Sequence, residues 1–155
     1  MKLNLGSGCR NLPDYTNIDI DPRADVQADL RQLPFENESA DEIVAIHVIE
    51  HFYRWEVVDV LKEWSRVLKP GGRLVLECPD LAKILRNILS GGPERMTLMG
   101  LYGDPKYRSP IMTHKWAYTH QMLRHVVEEA GFKNVTDAWP QYHHSVRDMR
   151  LEATK

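Results

Sequence analysis

Two nearly continuous apolar runs, EIVAIHV at Glu42–Val48 and RLVLECP at Arg73–Pro79, constrain this chain more than any other feature. Runs of β-branched type without polar alternation suit strands covered on both faces, as in the middle of a parallel sheet. Parallel neighbours need a crossover, and the intervening segment supplies one. Phe52, Trp55, Val58, Leu61, Trp64, Val67 and Leu68 fall at helical spacing between Glu50 and Leu68, and Lys69-Pro70-Gly71-Gly72 ends the pattern.

The alternation continues on both sides. KLNLGSG (Lys2 to Gly8) reads as a strand entering a glycine turn, TNIDID (Thr16 to Asp21) as a second strand, and Val26 to Leu30 as a short third. After Pro79, Asp80 stands where a helix N-cap would, and Leu81, Ile84, Leu85 and Ile88 form a stripe that stops at Ser90-Gly91-Gly92-Pro93. Thr119 to Ala130 is helical, with Met122, Leu123, Val126 and Val127 on one face and Gly131 as the stop. Asn134–Trp139 and Met149–Thr154 are the last strand candidates. Residues 91–118 break the pattern and read as a substrate-side insertion. The whole implies one domain over residues 1–155, a three-layer α/β fold with a mainly parallel sheet, and a ligand beyond the carboxyl ends of the strands.

Charge and composition narrow the function. With 20 Lys+Arg against 22 Asp+Glu, the 155 residues carry a net charge of −2 and no basic run, which opposes a nucleic-acid partner. The balance is uneven: residues 1–60 hold 5 basic and 12 acidic groups (−7), residues 61–155 hold 15 and 10 (+5). The halves are complementary within one fold. Cys9 and Cys78 are too few for a disulfide scaffold or a thiolate metal site and suit a reducing compartment. Neither a secretory apolar segment nor a run of about 18 apolar residues occurs, so no membrane partner and a cytoplasmic location are expected.

Gly6-Ser7-Gly8 lets backbone approach a ligand closely, and Asp19, at the end of the next strand, is placed to accept hydrogen bonds from a ribose diol. A tight turn with a loop-facing charge is the plainer alternative. A dinucleotide is disfavoured, because Asn11 occupies the third glycine position and Asp19 follows Gly6 by only 13 residues.

With these segments the sequence resembles a class I S-adenosylmethionine-dependent methyltransferase, of the small-molecule, methyltransferase-11-like branch. LNLGSG resembles that family's glycine loop, NIDI its ribose acid and QADLRQLPF (Gln27 to Phe35) its adenine-side segment. ADEIVAIHVIEHF and EWSRVLKPGGRLVLECPD resemble its fourth strand, following helix and fifth strand. The resemblance implies a Rossmann-like, mostly parallel seven-stranded sheet in the order 3-2-1-4-5-7-6 with an antiparallel last strand. It implies S-adenosyl-L-methionine held by Asn4, Gly6, Ser7, Gly8, Asp19, Ile20, Asp29, Leu30 and His47, and methyl transfer to a small-molecule or glycan acceptor. Ten residues between Gly6 and Asn17, with Pro13 among them, leave the usual first helix rudimentary at best, and the usual N-terminal helical cap is expected to be missing. A non-catalytic cofactor-binding module that needs a partner subunit is therefore a second reading. A homodimer is the expected assembly, since the Met- and Tyr-rich residues 96–118 suit a contact surface as well as a self-packed lid.

A hydroxyl acceptor benefits from a base, for which His47, His51 and His114 are candidates. Helix-terminal electrostatics for Glu50 and local packing for His51 remain open alternatives. HVIEH matches the H-x-x-E-H pattern of inverted zinc peptidases, but His47 continues a strand and no third ligand stands out, so no metal is expected. Asp80 has its cap role, THKWAYTH (Thr113 to His120) suits a substrate wall or an aromatic plug, and His143 and His144 read as surface residues. Both cysteines read as packing residues.

Overall fold

The computed structural model describes residues 1–155. One seven-stranded sheet runs in the order β3-β2-β1-β4-β5-β7-β6, from β1 (Lys2–Leu5), β2 (Thr16–Asp19), β3 (Val26–Gln27), β4 (Ala40–Ile46), β5 (Leu68–Pro79), β6 (Lys133–Ala138) and β7 (Asp148–Thr154). The first five strands pair in parallel and β7 lies antiparallel between β5 and β6. Four α-helices accompany them: α1 (Val57–Val67), α2 (Leu81–Leu89), α3 (Leu98–Tyr102) and α4 (His120–Glu129). This is the expected strand order, with the expected antiparallel last strand.

Period-two alternation gives the central strands two unlike faces. Ile43 and Ala45, then Leu74, Leu76 and Cys78, then Met149, Leu151 and Ala153 share one core with Leu3, Leu5 and Ile18. The apolar stripes of α1 and α4, including Leu61, Trp64, Leu123 and Val127, close that core. The opposite face alternates charge with a little apolar surface. Val44, Ile46 and Val75 form a small cluster covered by Leu12, Tyr15 and Tyr142. Around it Arg73 pairs with Glu42 at 2.9 Å and with Glu152 at 2.7 Å. Loop residues, rather than a helix, thus cover this cluster, and the β1–β2 connection contains no helix at all. The chain compensates for the short crossover with polar side chains where an apolar face would need covering.

Element ends shift from expectation for local reasons. Ile49–His51 forms a 3₁₀ turn and Phe52 is extended, so α1 begins at Val57 rather than near Glu50. Phe52 instead packs edge-on against Trp64, with ring centroids 6.2 Å apart. At the other end Leu68 turns extended and pairs with Ala40, which takes the Lys-Pro-Gly-Gly turn into β5. α1 also fixes the loop that faces the ligand side. Trp64 Nε1 donates to Leu30 O at 2.9 Å, and Glu63 Oε1 accepts from Leu33 N at 2.8 Å.

The two faces predict unequal costs for neighbouring truncations. Leu74→Ala, in the apolar core, should lower unfolding stability by about 3 kcal/mol. Arg73→Ala, half exposed on the charged face, should lower it by about 1 kcal/mol or less. Urea denaturation of both variants checks the difference.

Candidate functional site

The carboxyl ends of β1, β2 and β4 open into a cavity of about 590 Å³. All nine residues expected to hold the cofactor line it: Asn4, Gly6, Ser7, Gly8, Asp19, Ile20, Asp29, Leu30 and His47. β1 delivers the glycine turn. Gly6 adopts φ 66°, Gly6 N and Ser7 N both donate to Ile18 O, and a Cβ at Gly6 would overlap the Val48 side chain. Gly8 adopts φ 52°, and its N–H donates to Asp19 Oδ2 at 2.8 Å. Asp19 Oδ1 accepts from Asp21 N at 2.9 Å, so the carboxylate both shapes the loop and keeps lone pairs toward the cavity.

Asn4 plays a supporting part, since its amide donates to Arg10 O at 2.9 Å and to Asn17 Oδ1 at 2.8 Å. Ile20 is exposed and offers an apolar surface, while Asp29 receives the Arg31 backbone N–H at 2.9 Å. Ser7 Oγ is buried without a hydrogen-bond partner. An orphaned hydroxyl inside a left-handed glycine cradle, opposite an acid suited to a ribose, fits an adenosyl ligand.

At the end of β4, His47 holds φ 56°, a left-handed conformation unusual for a residue with a side chain. Its Nε2 lies 3.0 Å from Asp148 Oδ2, and its Nδ1 lies 3.1 Å from Glu50 Oε1. Burial opposes charging His47, but the Asp148 hydrogen bond and the Glu50 contact outweigh it and raise its pKa, keeping the ring protonated at neutral pH. Both ring nitrogens of His47 thus face carboxylates, a setting that favours the charged ring and suits His47 less well than His51 and His114 to the base role expected of it. Asp148 is held in turn by Arg147, whose Nε donates at 2.6 Å.

His51 lines the cavity and sets Nδ1 3.3 Å from Thr113 O. His114 sets Nδ1 3.0 Å from Gly100 O and stands outside the cavity lining, meeting His51 edge-on with ring centroids 5.0 Å apart. Burial lowers the pKa of His114, so its ring is neutral at pH 7. Glu50, 2% exposed, lies behind both rings. Burial would raise its pKa, but His47 and the other two imidazoles lower it, so it is ionised. His47 Nδ1, 3.1 Å from Glu50 Oε1, forms an ion pair with it, though neither carboxylate oxygen makes a well-aligned hydrogen bond.

Several lining residues escaped the sequence reading. Tyr107, Ile111 and Met112 come from the irregular segment, and Arg10, Arg23 and Arg31 bring cations. Cys9 is exposed and lines the cavity, which corrects its expected packing role, whereas Cys78 is buried. His143 lines the cavity too, its ring centroid 4.2 Å from that of His47, and burial with the His47 charge pushes its pKa down to about 4. Only the register that sets the β6–β7 loop beside β4 reveals this neighbour. Asp80 caps α2 by accepting from Ala82 N at 2.9 Å, as expected. Two groups gather metal-competent atoms within 4.8 Å of one another: His47 with His143 and Asp148, and Glu50 with His51 and His114.

Residues 6–76 match the family described as "Methyltransferase domain". A "Probable S-adenosylmethionine-dependent methyltransferase" of Mycolicibacterium smegmatis is 37% identical over 60 residues, 38% of this chain and 23% of that protein. One of Mycobacterium tuberculosis is 38% identical over 60 residues, 38% of this chain and 21% of that protein. The match thus spans less than a quarter of these relatives' own length. Among solved structures, an S-adenosylmethionine-dependent methyltransferase of Archaeoglobus fulgidus superposes with a TM-score of 0.70 at 14% identity, over 99% of this chain and 85% of the other. A Thermotoga maritima protein titled "possible histamine N-methyltransferase" gives 0.68 at 16% identity, over 99% and 81%.

Gly6→Ala should weaken binding of S-adenosylhomocysteine at least about tenfold, because the added methyl has to displace Val48 at the cavity wall. Gly91→Ala shares a positive φ but meets no neighbour, so it should cost only about 1–2 kcal/mol of stability and leave affinity unchanged. Calorimetric titration and thermal melts of the two variants check this contrast.

Proposed function

We propose, from the match of residues 6–76 to the methyltransferase-domain family and a fold shared with solved S-adenosylmethionine-dependent methyltransferases, that this chain is a class I S-adenosylmethionine-dependent methyltransferase and that it methylates a small-molecule or glycan acceptor. The observation that carries this reading is the single cavity joining the glycine cradle, Asp19 and the Asp29–Leu30 segment to the histidines at the end of β4. When bound, S-adenosylmethionine supplies a methyl group already activated on a cationic sulfonium. The protein's task is then to hold, orient and dehydrate.

Asp19 retains acceptor capacity for a ribose diol, and Ser7 Oγ gains a partner when the cradle is filled. Ile20 and Leu30 offer apolar surface to an adenine, and Asp29 an acceptor for its amine. Tyr107, Ile111 and Met112 line the cavity and offer apolar surface against which an acceptor could pack. Proton handling at the acceptor is assigned to the cluster of Glu50, His51 and His114, since both ring nitrogens of His47 already face carboxylates.

A cavity of about 590 Å³ that must hold donor and acceptor together supports a small acceptor or the terminal unit of a larger one. Arg23 and Arg31 pair with Asp21 and Asp29 at the cavity, which reduces the positive charge there that a nucleic acid would use. Two unpaired thiols support a reducing, cytoplasmic setting, and no helix is long and apolar enough to cross a membrane.

Titration with S-adenosylmethionine, S-adenosylhomocysteine and NAD, followed by transfer of a labelled methyl group to panels of hydroxyl and amine acceptors, tests the reading. We expect the adenosyl pair alone to bind, with Asp19→Ala weakening it about tenfold or more through lost charge-assisted hydrogen bonds. Binding without transfer to any acceptor would favour the non-catalytic module. NAD binding, or full affinity in Asp19→Ala, would overturn the proposal.

A further inference from the structure

We propose that Glu50, His51 and His114 form a site for one divalent transition-metal ion at the wall of the cavity. The three residues come from two distant segments, and one ligand atom from each lies within 4.8 Å of the others. Ligand atoms bound about 2.1 Å from one ion stand about 3–3.5 Å apart, so side-chain rotations of about 1 Å close the set. Glu50 Oε1 is already 3.9 Å from His114 Nε2.

The surroundings of each ligand match what a metal site needs. Glu50 is 2% exposed; His47 Nδ1 lies 3.1 Å from its Oε1, but neither oxygen makes a well-aligned hydrogen bond, so the buried carboxylate keeps lone pairs for a further cation. The Nδ1 atoms of His51 and His114 face the carbonyls of Thr113 and Gly100 at 3.3 and 3.0 Å. Donation of Nδ1–H to a carbonyl fixes the tautomer that leaves Nε2 with the lone pair, the outer-shell arrangement usual for ligating histidines. Each backbone carbonyl here belongs to the segment that also contributes Ile111 and Met112 to the cavity wall, so the ion would tie that segment to the end of β4.

The second group with metal-competent atoms is a poorer host. His47, His143 and Asp148 share their space with Arg147, which donates to Asp148 at 2.6 and 3.1 Å and comes within 3.4 Å of His47 Nε2. A dication there would meet a fixed cation. Glu50 meets a single cationic neighbour, His47 at 3.1 Å from Oε1, whereas Asp148 meets both His47 and two donations from Arg147.

Two imidazoles and one carboxylate suit Zn²⁺, Fe²⁺, Co²⁺ or Ni²⁺ and leave coordination positions open. His51 lines the cavity, so an ion held there would stand at its wall. The open positions would accept an acceptor hydroxyl, and the ion, by lowering that hydroxyl's pKa so that its proton leaves to solvent, would take the place of the proton-handling role given to Glu50, His51 and His114, whose lone pairs it occupies. This narrows the acceptor to an oxygen nucleophile. That part rests on the methyltransferase reading, whereas the ion site itself does not.

The test is titration of chelator-treated protein with Co²⁺, read by visible d–d absorption and calorimetry in the absence of any adenosyl ligand. We expect one equivalent to bind, His51→Ala and His114→Ala each to weaken it at least about tenfold, and His143→Ala to leave it unchanged. Circular dichroism confirms that each variant folds, and His114→Asn serves if His114→Ala does not. No binding, binding indifferent to His51 and His114, or binding lost only in His143→Ala would overturn the site. Parallel titration with S-adenosylhomocysteine separates the two claims. Co²⁺ without the adenosyl ligand keeps the ion site and removes the transferase reading, and the converse removes the ion site alone.

Discussion

The passage of the Gly6 backbone under Val48 is the contact on which the site depends. Only a residue without Cβ fits there, and only a left-handed turn brings the chain back to Ile18 within one residue. With that turn in place, Gly8 N meets Asp19, Ser7 Oγ is buried beside the cavity, and the ends of β1, β2 and β4 enclose one volume. A side chain at position 6 would separate the glycine loop from β4, and with it the glycine-loop half of the cavity from the histidine half.

The sheet answers a different constraint, the shortness of its first crossover. Residues 6–15 have no room for a helix, so the small apolar cluster of Val44, Ile46 and Val75 is covered only by loop residues. Alternation of Glu42, Arg73, Glu77, Arg150 and Glu152 with the core residues lets that face stand without a full helical layer. The same register places Asp148 at the start of β7, where it reaches across the sheet to His47. Fold economy and site chemistry therefore share one strand.

Much of this was legible in the residues themselves. EIVAIHV and RLVLECP announced adjacent buried parallel strands, and the glycine turn followed by Asp19 announced the ligand end. What local patterns could not convey was contact across many residues of chain. The His47–Asp148 pair spans 101 positions, and the carbonyl that orients His51 belongs to Thr113, 62 positions away. His143 is exposed, as its sequence context suggests, but its ring contact with His47 depends on a neighbour supplied by another strand. The helix start was misplaced for a local reason: Phe52 is extended to pack on Trp64, which interrupts a pattern whose apolar spacing continued unbroken.

The most direct measurement is a structure of the protein with S-adenosylhomocysteine. The account predicts the ribose diol on Asp19, a hydrogen bond to the Ser7 hydroxyl, the adenine between Ile20 and Leu30, and the thioether sulfur directed toward the His47 and His51 end of the cavity. A ligand bound elsewhere, or a cradle in which Ser7 stays unpartnered and Asp19 contacts only backbone, would contradict it.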